Sequence, residues 1–552
     1  MKSIIYNYIL FICGLALLSA CSTTDKVPEG DQLYVGLTKI KYTNYEKNSH
    51  FNYTRDELDA ALACAPNGAL FGSSYYRTPF PYGLWVWNAF SKSEGPVGKW
   101  ISKTFGKAPV LMSWVNPALR VSVAQSALKS HGYFNGSVNY KTIPMSNPKK
   151  AKIGYDVDMG HLYTIDSVAY EKFPEDADSL LKRTLTDAVI HKGDAFDVST
   201  LDAERKRVSI LFRNNGYYYY QPSYASYLAD TISVPGKVQM KFQLAEQIPE
   251  KAKRKWYIGR VDLQLRKQIM EQLNDSLMHR NFKVHFNGRH SPMRPRVIMR
   301  DLKLRPGNIY SYDNYLESSN RISGNGLFSI VDFQFTPRDS SATCDTLDLA
   351  LNCVFDKPYD FYVETNYTGR TSGRMGPGLI VGFTKRNVFR GGEKLDINIK
   401  GSYEWQSGHT ASGTSDNMNS YEYGGDASLE FPRLIMPFLQ HRRFFTTPST
   451  ILKASTDIIN RAGYFKRHIA SGELTYTFQT SKNSMHQFSP IILEYEYMTS
   501  HTEKFDSVMK TSPYLQVSMK NQFIPKMKYS YIYTSDKTYR NPIWWQTTIS
   551  EA

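Results

Sequence analysis

The stretch DVSTLDAERKRVSILFRNNGYYYYQPSY, residues 197–224, joins a helical pattern to four consecutive tyrosines through Asn-Asn-Gly. Apolar residues recur at helical spacing before the glycine, at Leu201, Val208, Leu211 and Phe212. Gly216 is predicted to lie just past the helix end, because glycine adopts a positive φ without a Cβ clash. The tyrosines then predict a strand over 217–224 that alternates between the core and the edge of a small sheet.

Two further segments follow the same order. They are NPALRVSVAQSALKSHGYFNGSVNYKTIP, residues 116–144, and SYDNYLESSNRISGNGLFSIVDFQFTP, residues 311–337, with Gly132 and Gly326 at the equivalent junction. Each of the three is followed by a second alternating strand and preceded by an opening strand, predicted at 37–42, 163–168 and 257–261. The unit strand, helical segment, helix, strand, strand therefore occurs three times, which indicates a modular array.

This β-α-α-β-β order with its Gly-(Tyr/Leu/Phe) junction resembles the POTRA domain. POTRA domains are the periplasmic modules of the outer-membrane insertase superfamily that includes BamA and TamA. The resemblance implies an α+β region of tandem POTRA-like domains. Their predicted bounds are 33–160, 161–249 and 253–357.

The first of these domains carries a long insertion at residues 62–114 that is rich in aromatic groups and lysines. These are Trp85, Trp87, Phe90, Trp100 and Phe105, with Lys92, Lys99, Lys103 and Lys107. The composition suits an amphipathic segment on an anionic membrane, and equally a helical pair packed on the first domain. The runs PNGALFG, LWVWNAF, GKW and GKAPV are similar to the TamA-like lipoproteins of Bacteroidetes, called TamL.

The amino terminus has the layout of a secretory signal: Lys2, an apolar run from Ile4 to Leu18, then small residues. Leu18-Ser19-Ala20-Cys21 is similar to the lipobox of bacterial lipoproteins. We therefore expect a signal peptide at 1–20, acylation of Cys21 including palmitate, and a lipidated linker at 21–32. An exported protein does not meet nucleic acid, so the net charge of +16 indicates anionic lipid or lipopolysaccharide as a partner, while most of the lysines and arginines, which are spread along the chain, are expected on a solvated surface.

From residue 359 onward the period changes from helical to alternating. YDFYVETNYT places Tyr359, Phe361, Val363 and Tyr367 on one face and Asp360, Glu364 and Asn366 on the other. KLDINIKGSYEW, ELTYTFQ, IILEYEYM and KMKYSYIY repeat the pattern. Strands with one apolar and one charged face are typical of a transmembrane barrel with lipid outside and water inside.

RNVFRGGEKL, residues 386–395, resembles the second hairpin of BamA and TamA barrels, with Gly391 and Gly392 in the turn. About eight or nine strands fit between residues 359 and 552, given roughly 9 to 11 residues for each spanning strand. The resemblance implies a 16-stranded transmembrane β-barrel of the bacterial surface antigen type. The expected fold class is thus α+β plus all-β membrane: tandem POTRA domains and the N-terminal half of that barrel. We expect the sequence to be a fragment, with a closed eight-stranded barrel as the alternative.

The resemblance implies an outer-membrane protein, with its POTRA domains in the periplasm, that inserts or translocates other proteins. Clients would add strands to exposed sheet edges, whose backbone groups are costly to leave unpaired in lipid. The client-binding residues implied are Tyr217 and Tyr219 on the predicted strand 217–224, Phe328 and Phe333 on 328–336, and Phe361, Val363 and Tyr367 on 359–369. The implied partners are unfolded outer-membrane proteins and a TamB-like protein that spans the periplasm.

Other interpretations stay open. A two-partner secretion pore also joins POTRA domains to a barrel, and a surface lipoprotein would bind a glycan or protein with no role in assembly. The basic run RHSPMRPRVIMRDLKLR, residues 289–305, suits either lipopolysaccharide and an acidic partner or a solvated loop. The sequence carries no CxxC, HExxH, GxSxG or phosphate-binding loop, and His279, His285 and His290 match no metal spacing. We therefore expect no catalytic residue, cofactor or metal.

Overall fold

The structure is a computed structural model, and it describes residues 23–341, 343–369, 374–406, 419–436, 444–536, 538–539 and 541–552. The predicted lipidation site, Cys21, lies outside the described residues. The chain divides into two compact units, Met1–Phe212 with Tyr220–Lys253, and Arg213–Tyr219 with Arg254–Ala552. No helix within the described ranges is both long and apolar enough to cross a bilayer.

The first module has the predicted β-α-α-β-β order. Its elements are β1 (Leu33–Leu37), β2 (Lys41–Thr43), α1 (Ser49–Leu62), α5 (Pro117–Ser130), β3 (Ser137–Pro144) and β4 (Lys150–Asp158). β4 is central: it pairs in parallel with β1 and β2 and antiparallel with β3. Leu58, Leu128 and Ile153 meet in the core between helices and sheet.

The opening strand predicted at 37–42 is wrong in its bounds. β1 ends at Leu37, opposite Ile153, and β2 starts at Lys41, opposite Asp156. The chain advances four residues from Leu37 to Lys41, but its partner advances only three from Ile153 to Asp156. This mismatch divides the opening strand into two short strands.

The insertion forms a short 3₁₀ turn at Leu70–Gly72 and the helices α2 (Tyr82–Phe90), α3 (Pro96–Phe105) and α4 (Met112–Val115). Leu84 of α2 is buried against Leu33 of β1 and Leu111. The interpretation as a helical pair packed on the first module is therefore confirmed, although several of its aromatic side chains stay exposed.

The second module contains β5 (Thr164–Glu171), α6 (Glu175–Arg183), α7 (Val198–Asn214), β6 (Ala225–Asp230) and β7 (Lys237–Leu244). The strands form a three-stranded sheet in the order β5-β7-β6. Helix α7 ends at Asn214 and Gly216 follows with a φ of +99°, as predicted.

The strand predicted at 217–224 is wrong, because β6 begins only at Ala225 and Pro222–Tyr224 form a 3₁₀ turn. The Tyr218 ring lies 4.9 Å from Tyr310, and the Tyr219 ring 5.2 Å from Trp256, centroid to centroid. These aromatic contacts with residues distant in sequence hold the tyrosines in a turn rather than in a ladder.

A buried ion pair stabilises the second module. Glu204 of α7 is fully buried, and Arg207 Nη2 donates to its Oε1 at 2.6 Å. The Tyr170 hydroxyl and the Val189 amide also donate to this carboxylate, at 2.8 and 2.9 Å. Burial by itself would raise the pKa of Glu204, but these donors outweigh it and lower that pKa.

The third module contains seven elements. They are β8 (Tyr257–Arg266), β9 (Asp275–His279), β10 (Phe282–Phe286), α8 (Pro295–Asp301), α9 (Tyr312–Gly324), β11 (Phe328–Pro337) and β12 (Thr346–Phe355). Its sheet has the order β11-β12-β8-β10-β9, so β11 is an edge strand and the hairpin β9–β10 is an addition that the sequence did not reveal. The strand predicted at 328–336 is confirmed.

The basic run at 289–305 contains α8. Met293, Ile298, Leu302 and Leu304 are buried in the module core. The interpretation as a solvated loop is therefore wrong for the centre of this run, whose arginines extend from a packed helix.

Nine antiparallel strands follow in sequential order. They are β13 (Tyr359–Gly369), β14 (Arg374–Arg386), β15 (Lys394–Gln406), β16 (Ser420–Phe431), β17 (Ser449–Arg461), β18 (Phe465–Ser481), β19 (Ser484–His501), β20 (Gln522–Thr534) and β21 (Trp544–Glu551). Two helices, α10 (Glu503–Thr511) and α11 (Pro513–Ser518), lie between β19 and β20. The predicted bounds of 359–369 are confirmed, and the described residues form nine strands, within the eight or nine expected between residues 359 and 552.

Candidate functional site

The nine-stranded sheet exposes an apolar face. The residue register aligns Leu395, Leu429, Leu452, Leu474 and Ile491 in one row across five neighbouring strands. A second row runs from Phe361 through Phe383, Ile397, Ala427 and Ala454 to Gly472 and Leu493. Many of these side chains are open to solvent, Phe361 to 69%.

The opposite face of the same sheet is polar and paired. Lys400 lies 2.8 Å from Asp457, and Lys526 lies 2.8 Å from Glu494. Arg467 pairs with Glu496. Among the described strands, one face of the sheet therefore carries ion pairs, and the leucines and isoleucines lie on the other face.

This distribution is the reverse of a water-soluble sheet, which buries its apolar face. A soluble monomer rarely exposes a contiguous apolar surface of more than a few hundred square ångströms. A sheet with apolar groups outside and ion pairs inside matches the strand pattern of an outer-membrane β-protein. The surface is thus suited to contact with lipid.

The first strand of this sheet presents an edge. Among the described residues, β13 pairs with β14 alone. Phe361, Val363 and Tyr367, predicted from the sequence to contact clients, lie on the apolar side of this strand and are exposed. The structure thus brings these three residues together at one sheet edge.

On the polar face of the sheet, a side chain of β13 reaches across the neighbouring strand β14 to β15. The register places Tyr362 opposite Gly382 of β14, which in turn lies opposite Asn398 of β15. A Cβ at Gly382 would collide with the Tyr362 ring. The absence of a side chain lets the Tyr362 hydroxyl donate to Asn398 Oδ1 at 2.8 Å.

Each module also carries an edge strand directly after its second helix. Within the described chain, β3, β6 and β11 each pair on one side only, with β4, β7 and β12. The predicted client residues of β11 point inward: Phe328 is buried, with its ring 4.9 Å from Phe355, and the Phe333 ring lies 5.3 Å from Tyr315. A client strand on this edge would meet backbone groups and the exposed Ile330.

Tyr217 and Tyr219 are not on a strand edge. Tyr217 is buried, and Tyr219 packs beside Trp256 in a cluster with Cys344 and Leu347. Because both residues lie in a turn, the edge role predicted for the strand 217–224 has no structural basis.

The turn between β14 and β15 docks onto the third module. Gly391 and Gly392 lie in this turn, and Gly392 has a φ of +83°. Glu393 Oε2 accepts from the Gly391 amide at 2.9 Å, which closes the turn on itself. Asn387 Nδ2 donates to the Pro292 carbonyl at 2.9 Å.

A backbone hydrogen bond completes this junction. The Arg294 amide donates to the Arg390 carbonyl at 2.8 Å. The basic run therefore supplies the surface that receives the hairpin, a role that its charge did not reveal. The sequence feature that could have indicated a packed segment here is Met293, an apolar residue among cations and prolines.

The insertion of the first module offers a second candidate surface. Trp100 and Phe105 of α3 remain exposed, Trp100 to 60%, and their rings lie 5.8 Å apart, centroid to centroid. Lys99 and Lys103 lie on the same short helix. Exposed aromatic rings beside lysines are typical of a helix that lies in an anionic membrane interface.

No protein-family profile and no curated protein matches the chain. Among solved structures, it is similar to BamA from Haemophilus ducreyi lacking POTRA domains 1–3, with 14% identity, a TM-score of 0.42, and coverage of 70% of this chain and 63% of that one. It is also similar to Haemophilus influenzae BamA POTRA3–5, with 12% identity, a TM-score of 0.29, and coverage of 60% of this chain and 99% of that one. CdiB from Acinetobacter baumannii has 11% identity, a TM-score of 0.28, and coverage of 71% of this chain and 69% of that one. The chain thus spans less than two thirds of the first of these structures.

Proposed function

We propose that this protein assembles or translocates other proteins at the outer membrane, as BamA and TamA do. In this proposal the sheet from β13 to β21 is part of a transmembrane β-barrel and the three modules are periplasmic POTRA domains. The single observation that supports it most is the exposed apolar face of the nine-stranded sheet, with ion pairs on the opposite face. A binding lipoprotein with a soluble sheet would bury that face.

The mechanism is strand addition. A nascent barrel strand carries unpaired N–H and C=O groups, each of which costs several kcal/mol in lipid. The open edge of β13 offers partners for these groups, and Phe361, Val363 and Tyr367 would contact the apolar side of the client strand. The edges of β3, β6 and β11 would hold the client earlier, on the periplasmic side. No covalent bond is made or broken, so no catalytic residue is required.

Further features of the proposal come from the sequence. Acylation of Cys21 would anchor the protein in the outer membrane, and the similarity of the runs in the insertion to the TamA-like lipoproteins supports a role of that type. A TamB-like protein would be its periplasmic partner. The insertion, with Trp100 and Phe105 exposed beside lysines, would contact anionic lipid or lipopolysaccharide.

Photocrosslinking in the native host tests this function. A photoreactive amino acid replaces Val363 on β13, and in the control it replaces Leu452 on β17. Both side chains are exposed on the apolar face, but Leu452 lies on a strand that pairs on both sides. We expect Val363 to crosslink to newly made outer-membrane proteins and Leu452 to crosslink to lipid alone.

The identity of the captured protein separates the candidate functions. Capture of a single secreted partner at Val363 would favour a two-partner secretion pore. Equal labelling at both positions, with no captured client, would contradict the assembly function. Recovery of the protein in the aqueous fraction after Cys21→Ala, without detergent, would contradict the membrane sheet.

A further inference from the structure

A cluster of two histidines and two carboxylates lies in the first unit, where His131 and Asp197 are buried, His50 is partly buried and Glu57 is exposed. His50 and Glu57 are on α1, His131 follows α5, and Asp197 precedes α7. One ligand atom from each of His50, His131 and Asp197 lies within 4.8 Å of the others. The cluster thus joins residues of the first module to the second.

The hydrogen bonds of His50 fix its tautomer. Its Nε2 lies 2.9 Å from the carbonyl oxygen of His131, and a carbonyl only accepts, so Nε2 carries the hydrogen. The neutral ring then holds a bare lone pair on Nδ1. This nitrogen lies 4.0 Å from Asp197 Oδ2. His50 Nδ1 and Asp197 Oδ2, which can both bind a metal ion, therefore lie close to each other.

His131 is placed in the same way. Its Nε2 lies 2.8 Å from Glu57 Oε2, an arrangement in which the ring donates to the carboxylate. Its Nδ1 lies 2.8 Å from Asp197 Oδ2, at hydrogen-bond distance, and a metal ion would replace the hydrogen that joins these two atoms. A metal-bound histidine commonly donates its other N–H to a carboxylate or a backbone carbonyl, and both rings here have such an acceptor.

Asp197 keeps one oxygen available for the cluster. Its Oδ1 accepts from the Ser199 amide at 2.7 Å, next to the start of α7. Oδ2 is the oxygen that lies toward both imidazole rings, 2.8 Å from His131 Nδ1 and 4.0 Å from His50 Nδ1.

We propose that His50, His131 and Asp197 bind a zinc ion that fastens the first module to the second. Two imidazole nitrogens and one carboxylate oxygen are zinc ligands, and solvent would fill the fourth position. Bonds of about 2.1 Å place tetrahedral ligands about 3.4 Å apart. The observed separations of 2.8 and 4.0 Å from Asp197 Oδ2 lie on either side of that value, so side-chain shifts of about half an ångström complete the geometry. Glu57 would orient His131 without binding the metal.

The ion would stiffen a junction that is already packed. The Tyr163 amide donates to the Gly132 carbonyl at 3.0 Å, and the Phe134 ring lies 5.0 Å from the rings of Tyr163 and Phe196. His131 precedes Gly132 directly, so a metal on its ring would act at the point where the chain leaves α5. Zinc would thereby set the angle at which the two modules meet.

Zinc titration of the full chain in detergent tests the site. The protein is stripped with a chelator, and zinc is added in competition with a chromogenic chelator. We expect a single tight ion per chain, and a loss of affinity of more than tenfold in His50→Gln and in Asp197→Asn. Asp197→Asn keeps Oδ1 as an acceptor for Ser199, so α7 retains its first turn. Glu57→Gln should weaken binding by about tenfold, as expected for an outer partner.

His161→Gln is the matched control, since His161 lies in the same unit but outside the cluster. It should bind zinc as tightly as the parent protein. Far-UV circular dichroism checks that each variant is folded. Equal affinity of the parent protein and His50→Gln would overturn the proposal. So would a parent protein that holds no zinc against the competitor, because the contacts of His131 with Glu57 and Asp197 would then be hydrogen bonds alone.

Discussion

The Tyr362 hydroxyl on β13 donates to Asn398 Oδ1 on β15 at 2.8 Å, across the intervening Gly382. Asn398 in turn donates from Nδ2 to Asp426 Oδ2 on β16 at 3.1 Å. The edge strand is therefore tied on its polar side to two strands beyond its own partner. The polar face of β13 is thus held by its own sheet.

Gly382→Ala should loosen this edge. The new Cβ would displace the Tyr362 ring and remove a hydrogen bond whose net contribution is about 1 kcal/mol. We expect the amides of β13 to exchange hydrogen about fivefold faster in mass-spectrometric measurements. Gly401→Ala on β15 is the control, because no atom lies within 4 Å of a Cβ there. Equal exchange in both variants would contradict the role of the glycine.

Glu204→Gln should destabilise the second module at neutral pH by about 3 kcal/mol, since it leaves the partly buried Arg207 without its charge partner. The folded-state pKa of Glu204 lies below its ordinary value of 4.5, so its contribution is complete above pH 4.5 and is lost as the pH falls through the folded-state pKa. The stability difference from the parent protein should therefore shrink on acidification. Denaturant unfolding at pH 7 and at pH 3.5 measures it.

Glu171→Gln provides the comparison for that experiment. Glu171 pairs with Lys241 at 3.2 Å, and both side chains are largely exposed. Exposed pairs contribute less than about 1 kcal/mol, so this variant should remain close to the parent protein at both pH values. A pH-independent loss in Glu204→Gln would show that packing, not charge, stabilises the module.

Gly392→Ala should detach the β14–β15 turn from the third module. Its φ of +83° disfavours a side chain by about 1 to 2 kcal/mol. We expect faster hydrogen exchange at residues 292–297, which receive the turn. Gly463→Ala imposes the same backbone strain, at a φ of +76°, in the turn between β17 and β18. If it accelerates exchange at 292–297 equally, the effect is global and the docking role is wrong.

Trp100 should contact lipid in proteoliposomes that contain anionic lipid. Its indole is exposed on a lysine-bearing helix, and such side chains enter the interface. Brominated phosphatidylglycerol should quench its fluorescence, so Trp100→Phe should lower the quenched part of the emission. Trp256→Phe is the control, because Trp256 is buried and its loss should lower only the unquenched part. An unchanged quenched part in Trp100→Phe would contradict membrane contact.

The sequence predicted β13 to the residue, because Tyr359, Phe361, Val363 and Tyr367 lie on one face of an alternating segment that begins after Pro358. The helix ends at Gly132, Gly216 and Gly326 were also predictable, because each needs a positive φ, a requirement that is local. Features that depend on residues close together in the sequence could therefore be predicted. Within the described residues, β13 lies at the edge of the sheet because the strand order follows the sequence and β13 comes first.

Features formed by residues far apart in the sequence could not be predicted from it. The tyrosines of 217–220 have high strand propensity, but Tyr310 and Trp256 hold Tyr218 and Tyr219 in a turn. His50 and Asp197 stand far apart in the chain and meet only because α1 and α7 both reach the junction beside His131. No spacing rule for metal sites covers such separations, since those rules describe ligands on one helix or one loop.

The leucine row of the nine-stranded sheet has a consequence for how the protein is made. In water, such a face would promote self-association of the chain. The modules have hydrophobic cores of their own and do not need the sheet to bury their apolar residues. Under the proposed function, the protein would therefore need an insertion step of its own before it could act on others.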